Sequence, residues 1–251
     1  MVRRGSWRRC RFVVIDIKIK YLLERLQKEK KMERKVFEKL DYVLRMPVDF
    51  SSEEKYPLVI YLHGAGGRGR DLDIIYNHPF FSKTEPWLTG AISFAPKCYE
   101  DSWFSIFEQL QAFVEHVTAW DCVDKTRVYV VGASMGGYAT WQLAMSRPEW
   151  FAAIIPICGG GMYWNAGRLI HMGVWAFHGE EDVTVFPEES KKMVNGVNVN
   201  GGDAKLTIYE KTSHDAWTST FENQAVWEWL LSHTSKYQET KSAYDNVKDF
   251  G

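Results

Sequence analysis

Gly132-Ala133-Ser134-Met135-Gly136 limits what this chain can fold into more than any other stretch of it. The pentapeptide follows the apolar run Arg127-Val128-Tyr129-Val130-Val131 and precedes a helix-compatible run, Tyr138 to Ser146. G-x-S-x-G in that setting marks a sharp strand-to-helix turn that holds a serine hydroxyl at the end of a strand, where a base can reach it. The flanking glycines leave space that a side chain would fill in so tight a turn. Such an element needs a sheet with helices packed on it.

The remaining sequence supplies one. Candidate strands are Tyr42 to Met46, Leu58 to Leu62, Ala91 to Ala95, Val128 to Val131, Ala153 to Ile157, Val174 to Phe177 and Lys205 to Tyr209. Several are almost wholly apolar, as strands covered on both faces are. Ile106, Leu110, Phe113, Val114 and Val117 recur at helical spacing and mark a crossover helix, and Val226, Trp229 and Leu230 mark another. Alternating strands and helices predict an α/β fold, a mostly parallel central sheet flanked by helices. No repeat or long linker divides the chain, and 251 residues at 45% hydrophobic content suffice for one large core. The expected organisation is a charged and dispensable extension over 1–31, one α/β domain over 32–235, and a polar tail over 236–251.

Lys plus Arg, 31, nearly balances Asp plus Glu, 32, which predicts no nucleic acid and no membrane surface as partner. Arg3, Arg4, Arg8, Arg9 and Arg11 precede the apolar run Phe12 to Ile19, but Asp16 and Lys18 interrupt it. Neither an export signal nor a membrane span is expected, and the localisation expected is cytoplasmic. Tyr21 to Lys35, charged and carrying Leu22, Leu23 and Leu26, reads as an exposed helix. Cys10, Cys98, Cys122 and Cys158 lack metal-binding spacing and read as reduced thiols, a Cys98 to Cys122 bridge remaining open.

A serine at such a turn takes its acid and then its base from later strand ends. After Val174-Trp175-Ala176-Phe177 comes His178-Gly179-Glu180-Glu181-Asp182, where Asp182 is the candidate acid against the plainer reading of a solvated acidic turn. Downstream histidines are His214, in the loop Lys211-Thr212-Ser213-His214-Asp215, and His233, at the end of the terminal helix. His214 is the candidate base and His233 an exposed helix-end cation, with Asp215 a substitute acid. Acyl transfer also needs N–H donors for an oxyanion. Met135 is one candidate. The other is Ala65, with Gly66 second, in His63-Gly64-Ala65-Gly66-Gly67 after the strand Leu58 to Leu62. Gly64 to Gly69 also satisfies the dinucleotide fingerprint G-x-G-x-x-G, but no acidic residue ends the next strand to hold a ribose.

Tyr61 to Gly66, Gly132 to Gly137, His178 to Asp182 and Ser213-His214-Asp215-Ala216-Trp217 together resemble the esterase and predicted-peptidase group of the α/β-hydrolase superfamily. Its relatives include phospholipase/carboxylesterase, dienelactone-hydrolase-like and feruloyl-esterase-like proteins. The resemblance runs from Met32 to His233 and implies a serine hydrolase with Ser134 as nucleophile, Asp182 as acid, His214 as base, Ala65 and Met135 as oxyanion hole, and no metal or organic cofactor. Serine stands where dienelactone hydrolases carry cysteine, which argues against that substrate.

Only Cys158 to Gly173 separates two strands where many lipases insert a helical cap, so no large cap is expected. Trp87, Trp103, Phe104, Tyr163, Trp164 and Trp217 could wall an aryl site, and Trp103 and Trp164 are the candidate substrate contacts. The expected partner is a small-molecule ester, with acetyl and feruloyl groups among the candidates. A serine peptidase or amidase with the same triad and a non-catalytic binding protein on this fold are the alternatives.

Overall fold

A computed structural model describes residues 32–237. Eight strands form one sheet in the order β1-β2-β4-β3-β5-β6-β7-β8. They are β1 (Met32–Phe37), β2 (Leu40–Arg45), β3 (Tyr56–Leu62), β4 (Ile92–Pro96), β5 (Val123–Ala133), β6 (Ala153–Ile157), β7 (Gly173–Gly179) and β8 (Ala204–Tyr209). β2 pairs antiparallel with β1 and β4, and all pairings from β4 to β8 are parallel.

Side chains alternate across each strand and so feed two cores. Leu58, Ile60, Leu62, Val128, Val130 and Ile154 enter one. Val59, Tyr61, Tyr129, Val131 and Ile155 enter the other. The first core is covered by α3 (Phe107–Thr118), α4 (Met135–Ser146) and α5 (Glu188–Val199), and α3 buries Leu110, Phe113, Val114 and Val117 as its spacing predicts. The second is covered by α2 (Pro79–Thr84), α6 (Trp217–Glu222) and α7 (Gln224–Leu231), after the single turn α1 (Asp73–Tyr76). This two-faced burial explains why the central strands read as unbroken apolar runs.

Several expectations need correction. Met32 to Lys35 belong to strand β1, not to a helix: an exposed outer edge tolerates the charges, and Lys35 pairs with Glu33 along it. The rest of that expected helix, and the extension over 1–31, lie outside the described residues. Of the tail over 236–251, only residues 236–237 are described. His233 is half-buried, its Nδ1 2.7 Å from the Trp229 carbonyl, rather than an exposed cation. Cys98, Cys122 and Cys158 are free thiols. Among the described residues no helix is long and apolar enough to cross a membrane.

The chain leaves β3 toward β4 on one side and β5 toward β6 on the other, so the sheet order reverses between β3 and β5. Crevices at such a point, outside the carboxyl ends of the strands, are where open α/β sheets bind ligands. The loops after β3, β5, β7 and β8 carry every candidate acid, base and nucleophile.

Candidate active site

Ser134 links β5 to α4 with φ 54° and ψ −117°, a left-handed conformation that costs a non-glycine residue free energy. Its neighbours make the turn possible. A Cβ on Gly132 would sit 2.2 Å from the Gly136 carbonyl oxygen, and one on Gly136 would sit 1.9 Å from that of Leu62. The Ser134 amide continues the sheet by donating to Ile157 at 2.8 Å.

The structure brings Ser134, His214 and Asp182 together from three loops. His214 Nε2 lies 2.8 Å from Ser134 Oγ, and His214 Nδ1 lies 2.7 Å from Asp182 Oδ2. A carboxylate only accepts, so Nδ1 carries the ring proton and Nε2 faces the serine hydroxyl as an acceptor. The Asp182 side chain is fully buried, and its Oδ1 accepts the amides of Thr184 at 2.9 Å and Val185 at 3.0 Å. Burial pushes its carboxyl up, but the His214 hydrogen bond and those two amides outweigh it and hold the pKa below the ordinary value. Asp215 is exposed and committed elsewhere, capping α6 through the Thr218 amide at 3.1 Å and the Thr218 hydroxyl at 3.0 Å.

The loop after β3 folds as a short 3-10 turn, Ala65–Gly67. It opens no α-helix, so it offers no helix N-terminus to a dinucleotide. It packs against the elbow, with a Gly64 Cβ position 3.4 Å from Ser134 Cβ. Ala65 begins this turn and Met135 begins α4, positions whose amides the turns themselves leave unused. Only Ala65 of the two lines the cavity below.

His63 ties that loop down. It is buried, and burial lowers its pKa to about 4, which keeps the ring neutral. The Cys98 amide donates to Nε2 at 3.0 Å, so Nδ1 carries the proton and donates to the Gly64 carbonyl at 2.7 Å.

A cavity of about 410 Å³ opens over Ser134 and His214. Its walls include Tyr61, Ile74, His78 and Trp217. Trp217 stands edge-on to His214 with ring centres 5.2 Å apart. His78 takes the Phe80 amide on Nδ1 at 3.1 Å, which leaves its Nε2–H toward the Tyr61 hydroxyl at 3.4 Å. Ile74, His78 and Thr184 have no place in the sequence reading, and Tyr61 enters it only as part of the strand and the stretch that carries the resemblance; the one available signal was the histidine and glycines after β3, which mark a loop and not its walls.

Trp103 and Trp164, the candidate substrate contacts, do not line this cavity. Trp103 is fully buried, and its Nε1 donates to the His63 carbonyl at 3.0 Å, so it supports the loop from below. Trp164, 71% exposed, lies in the 3-10 run Tyr163–Leu169 between β6 and β7. That run packs on α5, where a Gly196 Cβ would meet the Tyr163 carbonyl at 2.5 Å. Of the six aromatic candidates, Trp217 is the one that lines the cavity.

Cys158, His178 and Asp182 place ligand atoms within 4.8 Å of one another, a separation a metal ion could bridge. Their chemistry opposes it. Burial pushes the Cys158 thiol up to about 12, its Sγ faces the His214 carbonyl at 3.2 Å, and both nitrogens of His178 are already hydrogen-bonded.

The sheet order, the elbow and the Ser134, His214 and Asp182 geometry define the class: the chain has the α/β-hydrolase fold. Residues 93–166 match the prolyl oligopeptidase family. The chain is 25% identical over 173 residues to a probable feruloyl esterase C of Aspergillus terreus, covering 64% of this chain and 62% of that protein. It is 28% identical over 184 residues to feruloyl esterase C of Emericella nidulans, covering 69% of this chain and 66% of that protein. A thermostable esterase superposes with a TM-score of 0.74 at 30% identity, covering 82% of this chain and 64% of the other. The chain thus spans just under two thirds of the length of these relatives. Within the superfamily, the proteins it is similar to include esterases.

Proposed function

We propose that the protein is a serine carboxylesterase acting on short-chain or aryl esters, through an acyl-enzyme on Ser134. The observation that carries this reading is the hydrogen-bonded line from Asp182 through His214 to Ser134, opening into one mostly apolar cavity. His214 Nε2 takes the serine proton as Oγ attacks the ester carbonyl, and Asp182 holds the tautomer and balances the imidazolium. The amides of Ala65 and Met135 receive the oxyanion. His214 then protonates the departing alcohol, and later draws a proton from the water that hydrolyses the acyl-enzyme.

The size of the cavity suits a small acyl group, and Trp217 and Ile74 offer it apolar walls. Relatives named as feruloyl esterases make an aromatic acyl group the first to try. Hydrolysis of 4-nitrophenyl esters from acetate to decanoate, and of methyl ferulate, by wild type and Ser134→Ala tests the reading. Turnover lost in the variant supports it, and no turnover by folded wild type overturns it. The prolyl oligopeptidase match favours amide cleavage as the second reading. Matched ester and amide substrates separate the two, and a higher kcat/KM on the amide selects it.

A further inference from the structure

His178 ends β7 beneath the triad and is fully buried. Its Nε2 lies 2.8 Å from the Val185 carbonyl and 3.2 Å from Asp182 Oδ2, the same oxygen that takes His214 Nδ1. A carbonyl and a carboxylate only accept, so Nε2 carries a proton in whatever state the ring adopts. Nδ1 faces Ser190 Oγ at 2.7 Å. Burial lowers the pKa of His178, against the opposing pull of the Val185 carbonyl and Asp182, so the ring is neutral at neutral pH and Nδ1 is bare. The single proton of the Ser190 hydroxyl is shared between the Gly159 carbonyl at 3.0 Å and bare Nδ1 at 2.7 Å.

We infer that His178 is a second imidazole on the acid of the triad, a positioning residue that donates to Asp182 Oδ2 and limits how strongly Asp182 draws a proton onto His214. The inference rests on the triad proposed above. Thr184 and Val185 on Oδ1 and His214 on Oδ2 give the carboxylate three N–H hydrogen bonds, and the His178 Nε2–H, shared with the Val185 carbonyl, lies alongside Oδ2 at 3.2 Å. Negative charge that would otherwise face His214 alone is divided between two rings.

Other titratable groups surround this cluster. The Cys158 thiol is pushed up to about 12, and burial also raises the Tyr138 phenol, which faces Asp182 from α4. Glu188, on α5 and facing His178, is held below the usual carboxylate range by its own backbone hydrogen bond and by Lys191. Glu189, also on α5, faces Tyr138, and Asp215 is exposed beside His214.

Two amide variants split the two sides of the ring. His178→Gln places an N–H near the position of Nε2, whereas His178→Asn reaches only the Ser190 side. With His178→Asn, kcat/KM falls about tenfold and the acid limb of its pH profile moves up by about half a unit. With His178→Gln, kcat/KM stays within about threefold of wild type and the limb stays in place. Equal behaviour of the two, with the limb unmoved, overturns the inference, because a purely structural role would lower activity without moving the limb. Nitrogen-15 histidine spectra of the wild type give a test that needs neither turnover nor a folded variant. They show Nε2 protonated and Nδ1 bare around neutral pH, and the opposite tautomer overturns the inference. Failure to hydrolyse any ester, with that tautomer present, would instead count against the proposed activity.

Discussion

Trp103 Nε1 donates to the His63 carbonyl at 3.0 Å, so a side chain 40 residues downstream holds up the loop that carries the proposed oxyanion donor Ala65. Both residues are buried, and water has no access to replace the bond. Trp103→Phe keeps most of the packing and leaves that carbonyl short of a donor, at about 1–3 kcal/mol of stability. The expected kinetic signature is a several-fold lower kcat with KM little changed, since the loop acts on the transition state. A variant with wild-type kcat and lowered thermal stability would show that the bond serves folding alone.

Gly136→Ala places a methyl group where the Leu62 carbonyl oxygen already stands, 1.9 Å away. Backbone on both sides of the contact has nowhere to move without pulling the elbow off β3. The variant is expected to lose more than about 3 kcal/mol or to fail to fold, measured by denaturant unfolding. Near wild-type stability would mean that the elbow is looser than this packing implies.

His63 and His78 shape the response to acid. Burial lowers each to about 4 from the ordinary 6.5. Between those values the unfolded chain binds more protons than the folded one, so stability is full above pH 6.5 and falls as pH drops toward 4. The two rings together put on the order of several kcal/mol into that window. Unfolding midpoints at pH 7, 6, 5 and 4.5 should fall steadily, and His78→Gln should flatten the slope. A midpoint unchanged from pH 7 to 5 contradicts neutral rings at His63 and His78.

Asp182→Asn tests the tautomer. The Asn oxygen must take the Thr184 and Val185 amides, which turns its NH2 toward His214 Nδ1. His214 then carries its proton on Nε2 and has no lone pair for Ser134. Turnover on the order of a thousandfold lower is expected in a protein that keeps its circular dichroism spectrum. A loss under tenfold would point to another acid.

The parts of the fold legible in the sequence were those where burial is two-sided. Strands β3 through β8 stood out because most of them are apolar on both faces, and the elbow because glycine is required at Gly132 and Gly136. β1 did not, because an exposed edge carrying Glu33, Arg34 and Lys35 has a helix-like composition, and its pairing with β2 is a tertiary fact. The line from Ser134 to Asp182 followed from chain order and strand ends. The aromatic wall did not follow, since composition alone cannot separate Trp103, sealed under the loop, from Trp217, which faces the cavity. His178 was visible only as part of a motif, and its contact with Asp182 depends on how the loop after β7 turns back.

The central claim, that Ser134 is an activated nucleophile, is tested most directly by treating the native protein with a fluorophosphonate and mapping the adduct by mass spectrometry. One adduct per chain is expected, on the peptide containing Ser134, absent from Ser134→Ala and formed far more slowly in His214→Ala. An unlabelled, folded wild type, or an adduct on another residue, would contradict it.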